Sequence, residues 1–74
     1  MRIVEIITEP VELFKILKFE ALVSSGGEAK TVIDEGLVEL NGEVETRRRK
    51  KIVSGDVIEF SGEVLLIKYV PKKP

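Results

Sequence analysis

The chain contains no cysteine, no histidine and no tryptophan. Without cysteine it cannot form a disulfide or a thiolate metal site. Without histidine it lacks the usual general base and the commonest metal ligand of proteins, so a zinc enzyme or a Ser-His-Asp hydrolase cannot be built from these residues alone. We therefore expect no metal site, no cofactor and no catalytic residue.

Long apolar runs are missing as well. No segment approaches the roughly 20 apolar residues that span a bilayer, and no basic region precedes a short apolar stretch as it does in a signal peptide. We therefore expect no membrane partner and a cytoplasmic location. The 74 residues suffice for one domain, expected at residues 1–70, with a flexible basic tail at 71–74. We expect this small domain to be a monomer.

The net charge of −1 conceals two halves of opposite sign. Residues 1–46 carry ten acidic and four basic side chains, whereas residues 47–74 carry three acidic and eight basic ones. The first half therefore has a charge of −6 and the second a charge of +5. This split predicts a molecule with one basic face, and the acidity of the whole disfavours indiscriminate binding to polyanions.

The first half of the sequence predicts a strand and a helix. Arg2–Ile7 is rich in β-branched residues and reads as a strand. Pro10 fits the first position of a helix, and the apolar spacing that follows it predicts helix one at Val11–Phe19. The connection at Glu20–Val23 carries apolar residues that we expect in the core.

A second helix is predicted at Gly26–Glu35. Ser25 and Glu28 have the spacing of a capping box. Gly36 stands where the end of a helix favours a left-handed residue.

The second half of the chain is predicted to form β-strands. Asn41-Gly42 is a strong hairpin signal, because a type I′ turn requires positive φ at both central residues, and Ser61-Gly62 is read as a second hairpin turn. The predicted strands are Leu37–Leu40, Glu43–Thr46, Val57–Phe60 and Glu63–Val70. The fold class is therefore α+β, with two short helices packed on a small, mostly antiparallel sheet.

Five consecutive cations, Arg47, Arg48, Arg49, Lys50 and Lys51, form the most unusual stretch of the sequence. Adjacent cations repel one another, and the arginine fork matches phosphate oxygens in a bidentate way. In an extended segment Arg47, Arg49 and Lys51 would share one side and the other two the opposite side. A row of this kind could follow a nucleic-acid backbone, but basic runs also serve as solvated protection of a sheet edge.

The start of helix two is a second candidate for phosphate contact. Ser25, Gly26 and Gly27 are small, so a phosphate could approach the unpaired N–H groups there, and Lys30 lies one turn further on. The bland alternative is that these residues only begin a helix. Acid-base or metal chemistry is disfavoured, because Asp34 and Glu35 are adjacent on the helix and do not converge.

The ordered set of these features resembles the αL RNA-binding motif, also called the S4 domain after the ribosomal small-subunit protein that carries it. The resemblance covers about residues 11–60. The matching residues are Leu13, Leu17, Ser24, Ser25, Ala29, Lys30, Gly36, Val38, Leu40, Asn41, Gly42, Ile52, Gly55 and Asp56. The chain looks most like the small free-standing bacterial proteins that consist of little else.

The resemblance implies a non-enzymatic module that binds structured RNA, such as rRNA or a tRNA-like fold, with the ribosome or a protein as further partner. It implies RNA contacts at Lys30, at the start of helix two and in the basic run. Many members have Ser-Arg where this chain has Ser25-Gly26, so the basic run would have to carry more of the affinity. The alternative is a protein-interaction adaptor that keeps the fold and has little RNA affinity, which the acidic first half favours.

Overall fold

The computed structural model describes residues 1–71. Along that range the elements follow one another as β1 (Arg2–Ile6), β2 (Val11–Glu12), α1 (Leu13–Phe19), α2 (Gly26–Asp34), β3 (Val38–Leu40), β4 (Glu43–Val44), β5 (Lys51–Ile52), β6 (Val57–Phe60) and β7 (Glu63–Tyr69). The predicted tail at 71–74 lies outside the described residues except for Pro71. No helix within the described range is long and apolar enough to cross a membrane.

One mixed sheet and two helices enclose the core. The sheet has the strand order β1-β7-β6-β3-β4, and β2 and β5 form a separate two-stranded pair. Within residues 1–71, β1 and β7 form the one parallel pair, and the chain between them, which contains both helices, supplies the long crossover connection that a parallel pair needs. The α+β class and the mostly antiparallel sheet are confirmed. The core residues with the least exposure come from both helices and from four strands, and include Leu13, Leu17, Ala29, Ile33, Val38, Ile52, Ile58 and Leu65.

Both predicted hairpin turns are present. Asn41 and Gly42 have φ values of 53° and 86°, and Ser61 and Gly62 have φ values of 52° and 82°. Each turn connects strands that pair directly on either side of it, Leu40 with Glu43 in the first and Phe60 with Glu63 in the second. Positive φ at both central residues is the requirement of a type I′ turn, whose twist matches that of the strands.

Helix α2 begins at the predicted cap, although only half of the capping box forms. The Ser25 hydroxyl accepts a hydrogen bond from the Glu28 N–H (3.1 Å). The Glu28 carboxylate does not return to Ser25; it accepts hydrogen bonds from the backbone N–H and the hydroxyl of Ser24, both at 2.7 Å. The backbone bond, and then the hydroxyl bond, lower the pKa of Glu28. Gly36 ends this helix region with the expected positive φ of 77°.

The predicted start of helix one is wrong. Helix α1 begins at Leu13, two residues later than expected, and Pro10 lies outside it. Val11 and Glu12 instead form β2 and pair with Ile52 and Lys51 of β5. Val11 is β-branched and half-buried, and its partner Ile52 is fully buried, so a strand pairing satisfies this stretch better than another helical turn.

Candidate nucleic-acid interface

The five residues Arg47–Lys51, called the basic segment below, form a turn. The Lys50 N–H donates to the Arg47 carbonyl at 3.1 Å, and only Lys51 belongs to a strand. The predicted alternation of side chains along an extended segment is therefore wrong for its first four residues. In this turn the cationic side chains start from one short stretch of backbone and point in different directions.

The start of α1 holds this turn in place. The Leu13 N–H donates to the Lys50 carbonyl (2.9 Å), and the Phe14 N–H donates to the Arg48 carbonyl (3.1 Å). The first N–H groups of a helix have no partner within it, so the basic segment supplies acceptors that the helix needs. Four residues of the segment are exposed to solvent, and Lys50 is half-buried.

The three arginines each pair with a carboxylate. The Arg47 side chain donates two hydrogen bonds to the Glu45 carboxylate, from Nε to Oε2 (3.0 Å) and from Nη2 to Oε1 (3.2 Å). The Arg47 backbone N–H also donates to Glu45 Oε2 (3.0 Å). These bonds lower the pKa of Glu45, led by the side-chain hydrogen bond from Arg47, despite its near-complete burial.

Arg48 pairs with the last residue of α2, and Arg49 pairs with the residue that precedes α1. Arg48 Nη2 lies 2.6 Å from Asp34 Oδ2, and Arg49 Nη1 lies 3.5 Å from Glu12 Oε2. Lys15 also approaches Glu12, at 3.4 Å. Desolvation alone would raise the pKa of Glu12, but Lys15 together with the nearby charges of the basic segment lowers it. Within residues 1–71, Lys50 and Lys51 form no ion pair.

Phe14 brings Lys30 and the basic segment together. Lys30 Nζ lies 4.8 Å from the centre of the Phe14 ring, and Arg49 Cζ lies 5.8 Å from it. Lys15 Nζ approaches the same ring at 5.9 Å. These are distances at which an aromatic face attracts a cation. A half-buried ring thus gathers cations from α1, α2 and the basic segment into one surface.

The start of α2 lies on this surface too. A Cβ added at Gly26 would meet the Phe14 ring and Lys18 Cδ at 3.9 Å, which is ordinary contact. Gly27 is exposed and has only the Ser25 hydroxyl nearby, at 3.8 Å. The structure therefore brings Gly26, Lys30 and Arg49 together around the Phe14 ring. The Glu28 carboxylate already lies at this helix start, which disfavours an anion there.

A groove opens on the other side of the basic segment, towards the β3–β4 hairpin. Its volume is about 470 Å³, and Arg47, Lys50 and Lys51 line one wall. The exposed Val44 and Val53 contribute apolar surface to it. The basic segment therefore presents cations on two sides, with Arg48 and Arg49 towards the helices and the other three towards the hairpin.

Asn41 and Asp56, which both line this groove, are joined by a side-chain hydrogen bond. The Asn41 side chain accepts from the Val57 N–H (2.8 Å) and donates to Asp56 Oδ1 (3.1 Å). Asp56 Oδ2 in turn accepts from the Val53 N–H (3.0 Å). The Asn-Gly and Gly-Asp turns of the sequence pattern are thus joined through side chains, which gives both polar residues a structural role.

Sequence reasoning missed Phe14 and the carboxylate partners. Nothing in the local spacing of Phe14 marks its ring as a contact surface for cations. Asp34 lies 14 residues from Arg48, and Glu12 lies 37 residues from Arg49, so only the fold reveals these pairs.

The fold is that of an αL motif. A solution structure of YbcJ from E. coli matches with a TM-score of 0.70 at 40% identity, covering 92% of this chain and 87% of that one. That structure is described as revealing an αL motif involved in RNA-binding. The profile of the S4 domain family matches residues 4–68, so the chain belongs to that family, as the resemblance predicted.

Two relatives at the sequence level carry names that concern RNA or the ribosome. The "Putative RNA-binding protein YbcJ" of Escherichia coli (strain K12) is 50% identical over 52 residues, which span 70% of this chain and 74% of that protein. The "Probable ribosome maturation protein RlbA" of Bacillus subtilis (strain 168) is 39% identical over 59 residues, which span 80% of this chain and 83% of that protein.

Proposed function

We propose that the chain is a non-enzymatic module that binds structured RNA, of the rRNA or tRNA-like class, by its phosphate backbone. The contacts are assigned to the basic segment and Lys30, with Ser25, Gly26 and Gly27 allowing the backbone of the RNA to come close. Phosphate contacts position a protein on a nucleic acid without reading its sequence, so recognition would rest on the shape of the RNA.

The backbone anchoring of the basic segment is the observation that carries this proposal. Two hydrogen bonds to the start of α1 fix a turn whose side chains remain in solvent. A fixed turn loses less conformational entropy on binding than a mobile loop does, so more of the electrostatic gain is kept. The basic segment and Lys30 together carry six cations; the three arginines pair with carboxylates, whereas Lys30, Lys50 and Lys51 form no ion pair within residues 1–71.

The relatives support an RNA partner and suggest where it is met. YbcJ is named for RNA-binding and RlbA for ribosome maturation. We extend to this chain the coarser part of those names, an RNA partner at or near the ribosome. A monomer of one domain in the cytoplasm is part of the same proposal.

A salt series with a charge-matched control tests the proposal. Binding of a labelled RNA hairpin with an internal bulge is followed by fluorescence anisotropy. Three to five phosphate contacts predict a log–log slope of roughly −2 to −4 for the parent. The double variant Arg49→Ala/Lys51→Ala should have a slope shallower by about 1.4–1.8, because each lost contact removes about 0.7–0.9.

The control removes the same charge from another part of the molecule. Arg2 and Lys68 lie on β1 and β7, away from the basic segment. Arg2→Ala/Lys68→Ala should keep the parent slope. Equal slopes for the two double variants would mean that net charge, and not this surface, governs binding. A parent that does not bind at low salt would end the proposal for this RNA.

A protein-interaction adaptor is the second candidate, and the uncovered face of the sheet favours it. Ile3, Leu66 and Val57 stand side by side across β1, β7 and β6 on the face opposite to the core. Ile3 is 60% exposed, and the exposed Glu5 and Glu59 flank this row. An adaptor should elute early from a heparin column and bind no RNA hairpin, whereas an RNA binder with a clustered basic surface should elute late.

A further inference from the structure

Asp34 forms the shortest of the ion pairs between a carboxylate and the basic segment. Its Oδ2 lies 2.6 Å from Arg48 Nη2, which is the shortest ion pair within residues 1–71. Both side chains are 46% exposed, so neither is shielded from solvent or from an incoming anion. Asp34 already occupies Arg48 Nη2, one of the two donors that a bidentate phosphate contact through that edge of the guanidinium would use.

The position of Asp34 on α2 places it among the cations. It is the last residue of the helix and lies four residues after Lys30, on the same face of the helix. The negative end of the helix dipole is located here and adds to the attraction for Arg48. Arg48 is therefore held by a carboxylate and a helix end, in the place where the proposed function needs it free.

The other two arginine pairs are of different kinds. Arg47 makes three hydrogen bonds to the buried Glu45, one of them from its backbone, so this pair belongs to the folded structure. Glu12 divides its carboxylate between Lys15 and Arg49 at longer distances, 3.4 and 3.5 Å. Asp34 is thus the carboxylate whose removal frees one arginine without leaving a buried group unpaired.

We infer that Asp34 competes with RNA phosphate for Arg48 and thereby sets the affinity of this surface for anions. The inference rests on the proposed function. An exposed ion pair changes an equilibrium constant by a factor of about 1.4–5. Any anion that binds Arg48 must displace Asp34, so its affinity is lower by that factor. The effect matters most for a polyanion that makes few other phosphate contacts.

A matched pair of variants tests this inference. Asp34→Asn and Glu35→Gln each remove one negative charge at the end of α2, and Glu35 forms no ion pair among the described residues. Asp34→Asn should tighten binding of the bulged RNA hairpin by about 1.4- to 5-fold relative to Glu35→Gln. It should also elute from heparin at higher salt. Urea midpoints of both variants verify that the fold is kept.

The same comparison in an Arg48→Ala background completes a double-mutant cycle. There Asp34→Asn and Glu35→Gln should become equal, because the competition no longer exists. Equal behaviour in the parent background, in both assays, would overturn the inference while leaving RNA binding intact. If the hairpin does not bind but heparin still separates the variants, the proposed function fails and the competition for anions stands.

Discussion

At the scale of single residues, Phe14 shows how an apolar side chain can organise a polar surface. Its ring is half-buried, packs against the core, and has Lys30 at 4.8 Å and Arg49 at 5.8 Å. Each such contact is worth about 0.5–1 kcal/mol at an exposed site. Without the ring, both cations would sample a wider range of positions, so the role we propose for Phe14 in binding is to place other side chains.

The substitution Phe14→Leu should therefore weaken RNA binding while the chain still folds. Losing one cation–π contact predicts an affinity about 2- to 5-fold lower, and an apolar swap of this kind costs up to about 1.5 kcal/mol of stability. Anisotropy with the bulged hairpin and urea unfolding measure the two effects. Phe19→Leu is the control, because Phe19 is 67% exposed and lies at the other end of α1. Similar affinities for both variants would contradict the role assigned to Phe14.

At the scale of elements, the start of α2 has the geometry of an anion site but lacks its charge. Ser25 caps the helix through the Glu28 N–H, as the sequence predicts, and Gly26 lies next to the Phe14 ring. The carboxylate of Glu28 and the missing cation at position 26 both disfavour phosphate there. The atoms around Gly26 leave room for a Cβ at 3.9 Å, so a larger residue should be accepted at this helical position.

Gly26→Arg should convert this helix start into a stronger anchor. One added phosphate contact predicts tighter binding at low salt and a log–log slope steeper by about 0.7–0.9. Gly26→Gln controls for the gain in helix propensity, which raises stability in both variants, and should keep the parent slope. Anisotropy across a salt series measures the slopes. If both variants keep the parent slope, RNA does not reach the start of α2.

The elements that depend on local signals could be predicted from the sequence, and those that depend on distant partners could not. Three features depend on residues that are close in the sequence, and all three are present: the Asn41-Gly42 turn, the Ser25 cap and the end of the helix at Gly36. The start of α1 and the turn of the basic segment were predicted wrongly for one shared reason. The two segments bond to each other through the Phe14 and Arg48 backbones, across 34 positions of the chain.

At the scale of the whole molecule, the acidic first half and the basic second half of the sequence meet in the folded chain. Arg48 and Arg49 of the second half pair with Asp34 and Glu12 of the first. Through these ion pairs, the native molecule holds acidic side chains of its first half against the basic segment. Its folding stability should therefore depend on carboxylates that are ionised in the native state.

Acid should destabilise the fold, and Glu45 should account for part of the loss. Arg47 holds the pKa of Glu45 below its ordinary value of 4.5, so this contribution to stability is complete above that pH and is lost as the pH falls through the native pKa. Glu45→Gln should cost about 1 kcal/mol at pH 7 and close to nothing at pH 2, where the wild-type carboxyl is neutral too. Urea unfolding at both pH values measures this difference, with the exposed Glu59→Gln as control. A cost for Glu45→Gln that is the same at both pH values would mean that its charge does not contribute to stability.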